Sequence, residues 1–122
     1  MFQIDALSRT PVYEQIVEQC EQFLLKGVFT VGDKLPSVRQ LSVELAINPN
    51  TIQKAYLELD RRGLVTSVPG RGVFISEGAF MKVSEDRREN LGKIAELTKE
   101  LKLAGVKEEE IIDSVRTAYK ED

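Results

Sequence analysis

The four residues "INPN", positions 47 to 50, constrain this chain more than any other stretch because they stop one helical pattern and start another. Proline disfavours a helical conformation at the residue before it, so Asn48 cannot continue the preceding helix. The same proline fits the first position of a new helix, where its missing N–H costs nothing. Upstream, Ser37 and Gln40 have the spacing of a capping box, and Val38, Leu41 and Leu45 form an apolar stripe behind it. Downstream, Asn48 is the expected N-cap and Pro49 the first helical residue, with Ile52, Ala55, Tyr56 and Leu59 as the buried face and Gly63 as the stop. Two short helices joined by so brief a turn make a helix-turn-helix.

The flanking segments extend this unit. Thr10 followed by Pro11 reads as the start of an earlier helix running to about Lys26, with Val12, Ile16, Cys20, Phe23 and Leu24 on its inner side. "GVFTVGDKLPS" is a connector with a short extended piece at Val28 to Thr30. After Gly63, "LVTSV" and "VFI" are two strands around the tip "PGRG", where Pro69 and Gly70 suit the centre of a type II turn. A phosphate-cradling loop would need a strand before it and a helix after it; a strand follows, so a hairpin is the better reading. Beyond Ser76 the periodicity predicts a helix from Glu85 to Leu103 capped by Ser84, ended by Gly105, and another from Glu108 to Tyr119. Val106 and Ile111 are spaced as a hydrophobic staple for the latter. The expected fold is therefore mainly α with a small β-hairpin: a winged helix-turn-helix over residues 1–76, then a two-helix C-terminal dimerisation tail over 77–122.

Composition excludes several functions. The 122 residues contain no histidine, which removes the commonest general base and metal ligand and makes a Ser-His-Asp or Cys-His site impossible. Carboxylates and lysines leave a small enzyme as a rival without a visible constellation, and no cofactor is implied. The run Glu108 to Glu110 reads as a solvated first helical turn at the positive end of the dipole rather than as a metal site. No apolar run reaches the roughly 18 residues a membrane span needs, and "MFQIDALSRT" has no signal-peptide core, so the expected location is the cytoplasm. Cys20, the one cysteine, falls on an apolar helix face as a core thiol.

Net charge is −3, a poor omen for nucleic-acid binding, but its distribution is uneven. From Lys34 to Gly72 there are six basic residues against three acidic ones, a local balance of +3, whereas from Ala79 onward nine basic residues face eleven acidic ones. The outer side of the third helix carries Asn50, Thr51, Gln53 and Lys54, with Asn48 at its cap. Side chains of this kind in the first turns of a second helix suit base edges in the major groove, and Asn and Gln pair bidentately with adenine. Arg39, near the start of the preceding helix, can meet a phosphate or a guanine edge, and Arg71 at the hairpin tip, beside Gly70, can reach the minor groove or its backbone. On pattern alone a solvated helix face explains Asn50 to Lys54 as well as base readout does; three elements presenting polar or basic groups along one edge favour readout.

"GDKLPSVRQLSVELAINPNTIQKAYLELDRRGLVTSVPGRGVFI" resembles the GntR family of bacterial transcription regulators, in its short YtrA-like branch, over nearly the whole chain. The resemblance implies an N-terminal winged helix-turn-helix that binds double-stranded operator DNA as a dimer, and a small helical tail that pairs the subunits. It carries DNA contact onto Arg39, Asn50, Thr51, Gln53 and, in the wing, Gly70. Many relatives have a basic residue where this chain has Pro69, so the charge of the wing rests on Arg71.

The expected function is sequence-specific regulation of transcription, as a repressor on a pseudo-palindromic operator. The tail offers Leu91, Ile94, Leu97 and Leu101 on one helix and Ile111, Ile112, Val115 and Tyr119 on the next, more apolar surface than a two-helix appendage can bury alone. These residues are the expected homodimer contacts. The rival is a winged-helix module that binds protein instead of DNA, and the sequence names no small-molecule effector.

Overall fold

Ser37 Oγ accepts from the Gln40 backbone N–H at 3.0 Å while Gln40 Oε1 accepts from the Ser37 N–H at 2.9 Å, so the expected capping box is formed and opens helix α2, Val38–Leu45. Residues 1–121 are described by a computed structural model; Asp122, the last residue of the expected tail, lies outside the described residues. In front of α2 lies α1, Val12–Leu25, and behind it α3, Pro49–Arg61. The Asn48 side chain accepts from the Asn50 N–H at 2.8 Å, and Pro49 is the first residue of α3, as the sequence predicts.

The turn between α2 and α3 closes through Ala46, which adopts the left-handed conformation at φ 54° without being glycine. Backbone bonding from the Ile47 N–H to Ser42 O and a hydrogen bond from Ser42 Oγ to Ile47 O hold it there. Beyond the C-cap Arg62 of α3 stands Gly63, φ 75°, whose positive φ lets the Leu64 N–H return to Leu59 O at 3.0 Å. The chain then forms β1, Val65–Val68, and β2, Gly72–Ile75, antiparallel with Val65 opposite Ile75 and Val68 opposite Gly72. Gly70, φ 74°, takes the third position of the connecting turn, and the Arg71 N–H closes it on Val68 O at 2.9 Å.

One core fills the space between these elements. Ile16, Val17, Cys20 and Leu24 of α1, Leu41 of α2 and Ile52, Ala55, Tyr56 and Leu59 of α3 are buried together with Leu35, Leu64, Val65 and Ile75. Truncating a fully buried member such as Leu59 to alanine costs about 2–5 kcal/mol. Tyr56 keeps its hydroxyl satisfied by donating to Pro36 O at 2.6 Å. Burial pushes the Cys20 thiol up to about 12, so it is an unreactive core side chain as read from the sequence.

Four local expectations need correction. Thr10 does not cap α1; Pro11 stands at the N-cap position and makes no side-chain cap, while Gln15 Nε2 donates to Thr10 O at 2.8 Å and to Asp5 O at 3.0 Å. Gln15 Oε1 also accepts from the Asp5 N–H, and Gln19 holds Gln3 in the same two-way fashion, its Oε1 accepting from the Gln3 N–H and its Nε2 donating to Gln3 O, so the N-terminal segment is strapped along α1 and Phe2 is buried against Phe23 and Phe29. The expected extended piece at Val28 to Thr30 is not a strand; the only pairing in that connector among the described residues is a single bridge between Lys34 and Phe74.

The remaining two corrections concern the C-terminal part. Instead of one helix from Glu85 capped by Ser84, there are two: α4, Ala79–Arg88, and α5, Asn90–Leu103, separated at Glu89. The first compact unit is Met1–Asp86, ten residues longer than the expected 1–76, because Ala79 and Val83 of α4 are buried in the same core. The charged run after Val83 hides this, and of the apolar residues in "AFMKVSEDRR" only Ala79 and Val83 are buried while Phe80 and Met81 are exposed. The second unit, Arg87–Asp122, contains α5 and α6, Glu108–Lys120, and neither helix buries a residue fully. Lys107 is the N-cap position of α6, which puts Val106 and Ile111 at the staple positions, both half-buried.

Candidate nucleic-acid interface

The α3 side chains divide cleanly. Ile52, Ala55, Tyr56 and Leu59 point into the core, which turns Asn50, Gln53 and Lys54 outward, exposed, with Thr51 half-buried between them. Arg39, two residues past the cap of α2, is also exposed. Gly70 and Arg71 stand exposed at the hairpin tip. The sequence-predicted site residues of the winged unit are thus all at the surface, on the open ends of α2, α3 and the hairpin. Asn48 has a more limited part than expected: its amide oxygen is committed to the α3 cap, leaving the amide N–H groups for any outside partner.

The charge of the middle segment is also redistributed. Glu58 binds the guanidinium of Arg61, with Nε to Oε1 at 2.6 Å, and lies 3.6 Å from Arg62 Nε; Arg62 in turn donates to the buried Glu21 at 2.6 Å. The hydrogen bond from Arg61, with the nearby Arg62 charge, holds the Glu58 carboxyl below its ordinary range. Two of the six basic residues counted from the sequence are therefore internally neutralised. The other four, Lys34, Arg39, Lys54 and Arg71, have no ion-pair partner among the described residues. The positive edge that remains is smaller in number than the sequence implies and confined to α2, α3 and the two sides of the hairpin.

Two participants escaped the sequence reading. Lys34 pairs by its backbone with Phe74, and its side chain lies against Gly72, so its ammonium belongs to the tip end of the wing. No local pattern marks a lysine in a Gly-Asp-Lys connector as a wing residue; only the tertiary pairing does. Tyr13, in the first turn of α1, holds the Lys54 ammonium 4.1 Å from its ring centre. Helical spacing places Tyr13 with the half-buried residues but gives no hint of which element it meets.

Among the described residues no three His, Cys, Asp or Glu side chains are grouped to hold a metal ion, and no helix is long and apolar enough to cross a membrane.

A helix-turn-helix followed by a hairpin wing, with amide and cationic side chains on one exposed edge, defines the winged helix-turn-helix class of DNA-binding regulators. Residues 12–75 match the family of bacterial regulatory proteins described as the gntR family. The chain is 46% identical over 102 residues to the HTH-type transcriptional repressor YtrA of Bacillus subtilis (strain 168), covering 84% of this chain and 74% of that repressor. Its structure is similar to a GntR family transcriptional regulator from Listeria monocytogenes, with a TM-score of 0.75 and 32% identity over 93% of this chain and 98% of that one. It is also similar to the DNA-binding domain of AraR in complex with operator ORX1, with a TM-score of 0.54 and 31% identity over 62% of this chain and 93% of that one. The chain belongs to the GntR family of bacterial transcription regulators, among its YtrA-like members.

Proposed function

We propose that this regulator is a cytoplasmic repressor that binds a pseudo-palindromic operator as a homodimer. The observation that carries the reading is the unpaired cationic edge: Lys34, Arg39, Lys54 and Arg71 have no carboxylate partner among the described residues and flank the exposed amides of Asn50 and Gln53. Cations left unneutralised by the fold are available to phosphates, and amides on the first turns of a second helix are available to bases. On this reading Arg39, Lys54 and Arg71 anchor the DNA backbone. Asn48, Asn50, Thr51 and Gln53 contact base edges in the major groove, while Gly70 lets the wing backbone approach closely. The operator complex of the AraR domain and the name of the Bacillus relative support operator binding and repression. No catalytic step and no cofactor belong to this function.

The tail supports the dimer. Leu91, Ile94, Leu97 and Leu101 of α5 and Val115 and Tyr119 of α6 are all exposed in the single chain, with Ile111 and Ile112 half-buried beside them. So much uncovered apolar surface on two short helices suits a self-complementary interface. One winged helix with an acidic remainder attracts DNA weakly, and a second copy raises the effective concentration at the neighbouring half-site.

The test is selection of fragments from the source genome by the purified chain, followed by titration of a retained fragment across a salt series. An inverted repeat with half-sites about one helical turn apart or closer, and an affinity that falls steeply with salt, is expected. Retention of random fragments, or binding insensitive to salt, would overturn the reading.

A further inference from the structure

The Lys54 ammonium sits 4.1 Å from the centre of the Tyr13 ring, and this contact joins the first turn of α1 to the second turn of α3. Lys54 lies one helical turn beyond Asn50 and Thr51, on the same row of α3, so its four-carbon stem springs from the exposed edge. A lysine there has two natural alternatives. It can swing freely in solvent, or it can fold toward Glu58, four residues on. The second is already closed, because Glu58 is occupied by Arg61 and Arg62. The first is closed by Tyr13: the half-buried ring presents its face, and the negative face of an aromatic ring attracts a cation. Tyr13 is itself fixed, its hydroxyl donating to Glu14 at 3.0 Å. That hydrogen bond, with burial and the neighbouring Glu14 and Glu58 charges, raises the Tyr13 pKa and keeps the hydroxyl protonated as the donor.

We infer that Tyr13 is a positioning residue for DNA binding: its ring holds the Lys54 ammonium in place on the α1 flank of the recognition helix, ordered in advance for a phosphate. Immobilising a rotamer-rich lysine on binding costs affinity, and a side chain already held loses less freedom when the phosphate arrives. An ammonium over a ring keeps its other N–H donors outward, so holding it does not neutralise it. The backbone clamp would then have three points around the base-reading amides: Arg39 from α2, Arg71 from the wing, and Lys54 supported by α1. This inference rests on the assignment of Lys54 as a phosphate contact in the proposed function.

The test uses the full chain and a retained operator fragment, with Lys54→Met, Tyr13→Phe, Tyr13→Leu and the Tyr13→Leu/Lys54→Met double variant compared across a salt series. Lys54→Met is expected to lower the salt slope by about one unit. Tyr13→Phe keeps the ring face and is expected to bind like the parent. Tyr13→Leu is expected to weaken binding about two- to tenfold, the range set by ordering one rotamer-rich side chain on binding, with a smaller effect in the Lys54→Met background. Circular dichroism on each variant separates loss of fold from loss of contact. An unchanged slope in Lys54→Met removes the lysine assignment itself and with it the inference. A normal Lys54 effect with Tyr13→Leu equally damaging in both backgrounds makes Tyr13 a packing residue only and overturns the inference. Tyr13→Phe as damaging as Tyr13→Leu would show that the hydroxyl, not the ring, is used, and would also overturn it.

Discussion

Arg62 Nη1 donates to Glu21 Oε1 at 2.6 Å, tying the end of the α3 helix to the middle of α1 through a carboxylate whose side chain is 4% exposed. A buried carboxylate next to a partly exposed guanidinium is a fold contact, and it withdraws Arg62 from any outside partner. Arg62→Met is therefore expected to destabilise the chain by on the order of 2 kcal/mol, below the 3–5 typical of a fully buried pair because the arginine is partly solvated. Denaturant titration reads this, and the salt slope of DNA binding measured on the folded fraction should stay at the parent value. A fall in slope with no loss of stability would return Arg62 to the DNA-binding set.

Arg39 and Gln53 should fail in different ways. Loss of a phosphate contact in Arg39→Ala is expected to weaken binding to all sequences and to lower the salt slope by about one unit. Loss of a base contact in Gln53→Ala is expected to cost about 1–3 kcal/mol at one operator position and little elsewhere. Titration of the parent operator and single-base variants distinguishes the two, and unchanged binding in both would remove this face from the interface.

At the wing, Arg71→Ala is expected to reduce affinity with stability within about 0.5 kcal/mol of the parent, since an exposed tip residue packs on nothing. Gly70→Val has the opposite signature. A β-branched residue at φ 74° strains the turn by on the order of 1–2 kcal/mol, so stability falls and binding falls with it. Parent-like binding by Arg71→Ala across the salt series would make the tip a structural turn only.

Ala46 gives a prediction in the unusual direction. It is exposed, holds φ 54° in the helix-turn-helix bend, and meets the steric penalty of a left-handed side chain. Ala46→Gly relieves that penalty but loosens the unfolded chain, and the two effects oppose each other. The left-handed penalty of about 1–2 kcal/mol is the larger effect, so the expected net change is a gain of up to about 1 kcal/mol, in contrast to the usual cost of placing glycine in a helix. Thermal unfolding checks it; a loss of several kcal/mol would mean the methyl group packs on something.

Changing Leu97 and Leu101 together to glutamate should abolish both self-association and tight operator binding while leaving the winged unit folded. Sedimentation of the parent at tens of micromolar should show a dimer, and the double variant a monomer. A monomeric parent with tight operator binding would assign the tail another purpose.

Much of this architecture was legible because its signals are local. Pro49, the Ser37–Gln40 box and the Pro69–Gly70 turn act within four residues, and each stands where the sequence predicts. What was not legible depends on tertiary partners. The N-terminal segment is held by Gln15 and Gln19 amides that bond backbone ten and sixteen residues away. Arg62 is not legible as a fold contact because its partner Glu21 lies far from it in sequence, on another helix, whereas Arg61 is paired by Glu58 one helical turn before it. Val83 and Ala79 stand beside Phe80 and Met81, which the structure leaves exposed, and only packing shows which of these apolar residues joins the core. Every residue expected to face DNA lies outside the core, and Tyr13 and Lys34 join that edge through contacts that no periodicity encodes.

The division of α3 into a locked inner row and a free outer row has a consequence for how such regulators diverge. Ile52, Ala55, Tyr56 and Leu59 tolerate little change, whereas Asn50 and Gln53 touch nothing the fold needs through their side chains. Substitution at the outer positions shifts stability by about 0.5 kcal/mol or less, so, on the proposed reading of Asn50 and Gln53 as base contacts, a duplicated copy can acquire a new DNA address without passing through an unfolded ancestor. The binding specificity of this scaffold is thus free to drift while its architecture stays fixed.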